Sequence, residues 1–358
     1  WLMTEEEFMK DISWLDMLKL KGSWGTLGNQ NLDTAYPAEP LLENAFGAVF
    51  GNPSAIYPGY QLAYLPNANL RWEKVEAWEA GFESNMFRNR LHVEGVYYKK
   101  NTKDLLAKVP GLSGTIPGIG NLGQIENKGV ELSATWRDQI GDWRYNVGVN
   151  LTTIKNKVKS LVQDGYSIIA GDKSQSYTMA GYPIGFFYGY KVDGVYQSQA
   201  DIDASPKNTL ATVTPGDLKF ADVNGDGEIT PADRTLIGDP TPDVTYGISL
   251  GVSYKGWELG IDMMGQGGNQ IYRTWDNYNW AQFNYMEQRL DRWHGEGTSN
   301  TQPVLNTGHA INFENSEYYV EDGSFFRIRN LQLGYTFDKA LISKIGLKAL
   351  KAYFNIQN

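Results

Sequence analysis

Residues 222–234 read D-V-N-G-D-G-E-I-T-P-A-D-R and carry the sharpest chemical pattern in the chain. Asp222, Asn224 and Asp226 stand at positions 1, 3 and 5 of an EF-hand-like loop. Gly227 supplies the sharp turn at position 6, Glu228 a carbonyl at position 7, and Ile229 the apolar residue at position 8. Asp233 falls at position 12, where a shorter acid replaces the usual bidentate Glu. Hard oxygen donors at this spacing suit Ca²⁺, so Asp222, Asn224, Asp226, Glu228 and Asp233 are the candidate metal ligands. The alternative is an Asx-rich turn held by its own hydrogen bonds. Under either reading these residues stiffen a long surface loop rather than catalyse a reaction.

A second cluster is aromatic. Tyr272, Trp275, Tyr278, Trp280, Phe283 and Tyr285 lie among Asn269, Gln270, Asn277, Asn279 and Gln282. Flat rings beside carboxamides suit sugars or peptides, through stacking and hydrogen bonds. Tyr272, Trp275, Tyr278 and Trp280 are therefore candidate substrate contacts, against the plainer alternative of loop packing or contact with a partner protein.

Other enzyme-like patterns fail on context. Gly118, Gly120 and Gly123 fit G-x-G-x-x-G but sit in a Pro/Gly-rich stretch with no strand–helix unit. Gly247, Ser249 and Gly251 fit G-x-S-x-G inside an alternating segment rather than at a strand-to-helix elbow. His92, His294 and His309 show no metal-pair spacing and no evident carboxylate partner. No catalytic residue is assigned, and the chain is not read as an enzyme.

The elements that must carry these loops are strands. In residues 143–153, Trp143, Tyr145, Val147, Val149 and Leu151 share one parity, with Arg144, Asn146, Gly148, Asn150 and Thr152 on the other. Successive strand side chains point to opposite faces, so this segment has one apolar and one small or polar face. The same pattern recurs in residues 128–137, 245–254, 257–263 and 330–337, and more noisily in 71–85 and 89–100. Residues 16–26 and 349–357 flank them.

The connections alternate in length. Residues 85–89, 138–142, 255–256 and 338–348 are short, whereas 27–70, 102–127, 154–244 and 265–325 are long and rich in Gly, Pro, Asn, Asp and aromatics. Outer-membrane β-barrels have this layout, with short periplasmic turns and long extracellular loops. Trp136 and Trp143, Tyr254 and Trp257, Phe82 and Phe87, and Tyr335 and Phe337 flank the short turns, where an aromatic girdle belongs. A soluble sandwich or propeller would also place aromatics on one parity, but its loops would not segregate by length so regularly.

Composition agrees. The 39 Gly, 11 Trp, 22 Tyr and 14 Phe suit twisted strands, tight turns and an interfacial belt. No run of about 18 apolar residues exists for a membrane helix, and a barrel needs none, because only alternate residues meet lipid. A net charge of -9 argues against nucleic acid. The absence of cysteine removes disulfides and leaves the compartment open.

These segments resemble the SusC/RagA family of TonB-dependent outer-membrane transporters of Bacteroidetes over nearly the whole length. The resemblance rests on LDMLKLKGSWGTLGNQ (15–30), LRWEKVEAWEAGFE (70–83), VYYKKNTKDLL (96–106) and NLGQIENKGVELS (121–133). It continues in GYPIGFFYGYKVDGVYQ (181–197), the stretch 215–249 that contains the Asp222 loop, and YYVEDGSFFRIRNLQLGY (318–335). The resemblance implies an all-β fold: part of a large antiparallel transmembrane β-barrel of about 22 strands, with long extracellular loops.

On this reading residues 1–358 supply roughly eight strands of one barrel domain in the bacterial outer membrane, and 155–243 form a long extracellular loop region. The plug, the TonB-contacting segment and the last strand are expected outside this chain. The family further implies a SusD-like surface lipoprotein, coupling through TonB with ExbB and ExbD, and import of oligosaccharides or peptides. Arg144, Asn146, Asn150, Glu131 and Asp262 would line the wet interior, and Tyr145, Val149, Ile248 and Ile261 would face lipid. The alternatives are a soluble or surface-attached β-rich glycan-binding protein, whose calcium loop is a dockerin-like module, and a glycoside hydrolase using Asp222 and Asp226. Those carboxylates are better explained as cation ligands.

Overall fold

The computed structural model describes residues 1–29, 39, 42–62, 67–109, 118–162, 165–275, 284–305 and 308–358. It divides into two compact units. The first comprises Trp1–Leu132, Lys155–Tyr166 and Met179–Gly181, and the second Ser133–Ile154, Ser167–Thr178 and Tyr182–Asn358.

In the first unit β1 (Leu15–Asn29), β2 (Glu73–Met86), β3 (Leu91–Lys103) and the first part of β4 (Gly123–Ile140) lie side by side in that order. β1 pairs antiparallel with β2, and β2 with β3. The turn after β2 holds Phe87, Arg88 and Asn89 at positive φ, tight enough to reverse the chain in four residues. Lys155–Leu161 pairs antiparallel with the start of β4, so the stretch 155–243 opens as a strand of the sheet and not as loop. The connection between β1 and β2 carries its own hairpin, Leu42–Phe50 against Ala55–Leu62. Leu106–Val109 and Gly118–Asn121 pair between β3 and β4, which confirms that the glycine triplet there opens no helix.

The second unit holds the end of β4 and then β5 (Trp143–Thr153), β6 (Val244–Tyr254), β7 (Trp257–Gly267), β8 (Phe325–Thr336) and β9 (Lys351–Gln357). Each is antiparallel to the next from β5 onward. Among the described residues each of the nine segments marked in the sequence lies in a paired strand, one more than the roughly eight expected, and Lys155–Leu161 adds a tenth that the alternation did not mark.

Register explains the alternation. Trp143, Tyr254, Trp257 and Tyr335 stand opposite one another in a single row beside the short turns. Trp143 stacks on Tyr254 at 4.4 Å between centroids, and Trp257 meets Tyr335 at 4.8 Å. Along the strands the same face carries Val147, Leu250, Ile261 and Leu331 in one row, then Val149, Ile248, Met263 and Ile328. It ends in a row with Leu151, Tyr246 and Phe326, where Gly265 gives Tyr246 room to lie across β7.

Tyr246 stands eight residues along β6 from Tyr254. That is about 27 Å of strand, or about 21 Å along the membrane normal at the ~40° tilt usual for such walls. An outer-membrane barrel presents an apolar band of ~25 Å between two aromatic girdles. The two lengths agree.

No apolar side chain of β5–β9 is buried. Tyr145, Ile248 and Ile261 are half-exposed and Val149 is exposed, so this face has no protein core against it. The packed core of the second unit lies instead in the long connections. Phe186, Tyr190, Tyr196, Leu218, Phe220, Ile229, Ile311 and Tyr319 are almost fully buried there. The strands meet lipid; the loops fold like a soluble domain. No helix among the described residues is long and apolar enough to cross a membrane.

Candidate functional site

The face opposite the apolar band is polar. Arg144, Asn146, Asn150 and Asp262 are exposed on it, as is Glu131 in the first unit, as expected for lumen-facing parity. Gly247 and Gly251 of β6 face it too. A Cβ at Gly251 would lie 2.2 Å from the Asn146 amide oxygen, and one at Gly247 2.9 Å from the Asn150 amide nitrogen. The glycines let the two β5 amides lie flat across β6. The G-x-S-x-G pattern thus lies on the polar face of a strand and not at an elbow, with Ser249 opposite Gly148 and Asp262.

Further around, the Asn330 amide donates to the Asp262 carboxylate at 3.3 Å and Lys351 pairs with Glu258. Arg144, Asn146, Glu258, Asp262 and Gln332 line a trough of about 840 Å³. Carboxamides and paired charges over small residues make a surface that hydrogen-bonds water or a polar solute and grips nothing apolar. In the first unit Lys21 bridges Glu83 and Glu94 on the corresponding face.

The long connections of the second unit pack into two cores. Tyr190 stacks on Phe220 at 4.7 Å, with Val195, Leu218, Ile229 and Ile311 around them. Phe187, Ile237, Tyr272 and Tyr319 form the other. Burial raises the Tyr190 and Tyr196 phenols above the ordinary tyrosine range. Tyr272 is therefore corrected: its ring is buried and its hydroxyl donates to the Asn315 side chain at 2.9 Å, so it builds the loop core and presents no face to cargo. Trp275 is exposed, with the Arg273 guanidinium 6.0 Å from its ring. Tyr278 and Trp280 lie outside the described residues.

The acidic loop is held from within. The Asp222 carboxylate accepts from Gly225 N at 2.7 Å and Gly227 N at 2.8 Å. Asn224 accepts from Asp226 N and Asp226 from Glu228 N, each at 2.9 Å. Glu228 and Ile229 pair in parallel with Lys207 and Asn208, and the carbonyls of Gly227 and Ile229, not of Glu228, accept from Lys207 and Thr209. Asp233 is fully buried and completes a capping box with Thr230, the N-cap of the turn Pro231–Asp233. It accepts from Val223 N at 3.0 Å and Thr230 N at 2.8 Å. Burial alone would raise its carboxyl, but the Thr230, Asn224 and Val223 amides outweigh that and hold it below the usual range. The donors of Asp222, Asn224 and Asp226 are all oxygen, which suits a hard cation. Among the described residues no group of three or more His, Cys, Asp or Glu side chains is arranged to hold a metal ion.

One network has no signal in the sequence. Asp217, buried, accepts from His309 Nδ1 at 2.5 Å and from the Asn312 amide at 2.9 Å, while its other oxygen accepts from Thr214 N at 2.8 Å. His309 thus has the carboxylate partner that its sequence neighbourhood does not show, 92 residues away. The arrangement is not a nucleophile triad. Thr214 Oγ1 lies 3.3 Å from the same Nδ1 that meets Asp217, whereas a triad needs acid and nucleophile on opposite ring nitrogens. It is a clamp between two long connections.

Comparison with known proteins decides between a barrel wall and a soluble domain. Residues 11–358 match the family model described as TonB dependent receptor-like, beta-barrel. The chain belongs to the TonB-dependent receptor β-barrel family. It is 32% identical to TonB-dependent receptor P3 of Formosa agariphila, over 100% of this chain and 36% of that protein. It is 28% identical to TonB-dependent receptor SusC of Bacteroides thetaiotaomicron, over 94% of this chain and 33% of that protein. A solved structure of the RagAB peptide transporter superposes with a TM-score of 0.81 at 23% identity, covering 100% of this chain and 38% of that one. The chain is an outer-membrane β-barrel of this receptor family, with the fold seen in the RagAB structure. It spans about a third of the length of these curated relatives.

Proposed function

We propose that this barrel segment forms part of a SusC-like importer that passes oligosaccharides or peptides across the outer membrane. One observation supports it most: β5–β8 set an apolar band between aromatic rows on one face and carboxamides, paired charges and glycines on the other. A wall wet on one side and lipid-matched on the other is a conduit. The lumen residues offer donors and acceptors without an apolar pocket, which suits a neutral polar cargo rich in hydroxyls or amides.

The segment works with parts that lie outside it. A plug closes the lumen, TonB with ExbB and ExbD moves it, and a SusD-like lipoprotein covers the loop layer. The relative named SusC and the RagAB structures, described as those of a peptide transporter, support this reading. No covalent chemistry is needed: the chain's residues hydrate, orient and release the solute. A Ca²⁺ ion held by Asp222, Asn224, Asp226, the Glu228 carbonyl and Asp233 is a separate proposal, in which the metal would cross-link the loop.

The test is growth of a host strain carrying or lacking the intact transporter, with oligosaccharides or peptides as sole nutrient. Transporter-dependent growth on one class, and co-purification of a lipoprotein in mild detergent, are expected. Equal growth of both strains on every cargo of the two classes contradicts the import reading.

A further inference from the structure

Residues 337–350 are the longest of the four short connections, and they are folded rather than slack. The Asp338 carboxylate caps the short helix Lys339–Ile342, accepting from Ala340 N at 2.7 Å. Leu347 N donates to Ile342 O and Gly346 N to Ser343 O, both at 3.1 Å, with Gly346 at φ 77°. This 6→1 and 5→2 pair is a Schellman closure, and it needs glycine at that position. Phe337 N donates to Leu350 O at 3.0 Å, tying both ends to the register of β8 and β9.

The segment shows its apolar residues outward. Ile342 is buried, but Leu341 is 59% and Ile345 69% exposed, and Leu347 and Leu350 are exposed beside them. Lys339, Lys344 and Lys348 are exposed among these side chains, and the one acid, Asp338, is engaged as the cap. A turn in water gains nothing from four exposed aliphatic side chains held by a Schellman closure. The segment also continues the lipid-facing girdle: Phe337 meets Tyr335 edge-on at 5.0 Å, and Tyr335 stands in the aromatic row. Interspersed lysines and aliphatics beside such a row are the composition of a segment that lies in a bilayer interface.

We propose that residues 337–350 dock into the periplasmic leaflet, with Leu341, Ile345 and Leu347 at the acyl boundary and Lys339, Lys344 and Lys348 against anionic phospholipid headgroups. The proposal rests on the barrel reading, which places short turns on the periplasmic side.

The experiment uses the full-length transporter in vesicles of phosphatidylethanolamine with or without phosphatidylglycerol. This chain has no cysteine, so with any cysteine elsewhere in the transporter replaced by serine, Ile345→Cys and Val252→Cys each give a single fluorophore site. The label at 345 should be quenched by shallow doxyl lipids and shielded from aqueous iodide, and the label at 252, about 5 Å inside the aromatic row along the normal, should be quenched by doxyl lipids and shielded from iodide as well. If 252 is quenched by lipid while 345 is open to iodide, docking fails and the barrel stands. If both are open to iodide, the barrel reading itself fails. A label at 345 shielded from both quenchers means protein covers the segment, which also overturns the proposal. Lys344→Ala should lower the enrichment of phosphatidylglycerol over phosphatidylethanolamine among co-purified lipids by about fivefold; unchanged enrichment overturns the headgroup assignment.

Discussion

Leu250 stands midway up the second unit's wall, four residues from Tyr254 and four from Tyr246. Its neighbours in register are Val147 and Ile261, both on the apolar face. Half of an eight-residue span places it about 10 Å from either aromatic row along the normal. Leu250→Arg therefore puts a guanidinium near the bilayer centre, too deep for full relief by reaching an interface. Such a charge costs about 2–4 kcal/mol, a drop of roughly thirtyfold to several hundredfold in the folding equilibrium constant.

Gln332→Arg is the matched control. Gln332 faces the wet side opposite Gly260, where nothing lies within 4 Å of the glycine's added Cβ. The assay is folding of the full-length transporter into lipid vesicles across a urea series, read by heat-modifiable gel mobility. Leu250→Arg should shift the midpoint strongly and Gln332→Arg little. Equal shifts, or a larger one for Gln332→Arg, would refute the two-faced assignment.

Asp233→Ala removes the acceptor of three backbone donors inside a closed turn, at about 1–3 kcal/mol for each buried donor left unpaired; amide exchange over residues 222–234 should rise sharply, and unchanged protection would count against the Asp233 anchor. Because the Asp233 carboxyl is held below the ordinary range, its contribution is complete above that range and lost only as pH falls through the lowered value. Loop protection should stay flat from about pH 7 to 5 and drop only in stronger acid; a drop between 7 and 5 would assign the effect to another group. Asp217→Ala should free Asn312 and His309 together and speed exchange at residues 308–312 while leaving 222–227 unchanged, and a rise in both places would show the clamp is not local. For the calcium proposal, protease resistance across residues 220–237 should fall with chelator in the parent and be low regardless in Asp226→Ala; resistance indifferent to chelator removes the ion.

The wall was legible because lipid imposes period two. The alternation in 143–153 gives β5 its observed bounds. It fails where that constraint ends. β4 begins at Gly123 rather than Lys128, because its first residues pair with Lys155–Leu161, and this end of the strand holds the buried Ile125. β8 begins at Phe325 rather than Asn330, because a bulge between Ile328 and Asn330 lets Ile328 and Leu331 share the lipid face three positions apart. No fixed period survives that insertion.

The loop layer was less legible for a different reason. Its core and its Asp217 clamp join residues more than 90 positions apart, and no local pattern marks such partners. Tyr272 and Trp275 look alike in sequence, three residues apart, yet one is buried and the other exposed. The Asp222 loop was legible as a motif because its hydrogen bonds are local, spanning two to five residues from Asp222 to Glu228.

The most direct measurement is a nitroxide scan of residues 245–253 in lipid vesicles, reading collision with oxygen and with a water-soluble nickel complex at each site. Oxygen should dominate at 246, 248, 250 and 252 and nickel at 245, 247, 249, 251 and 253, in strict alternation. Low collision rates with both reagents at 248 and 250 would place those side chains inside packed protein and contradict the account.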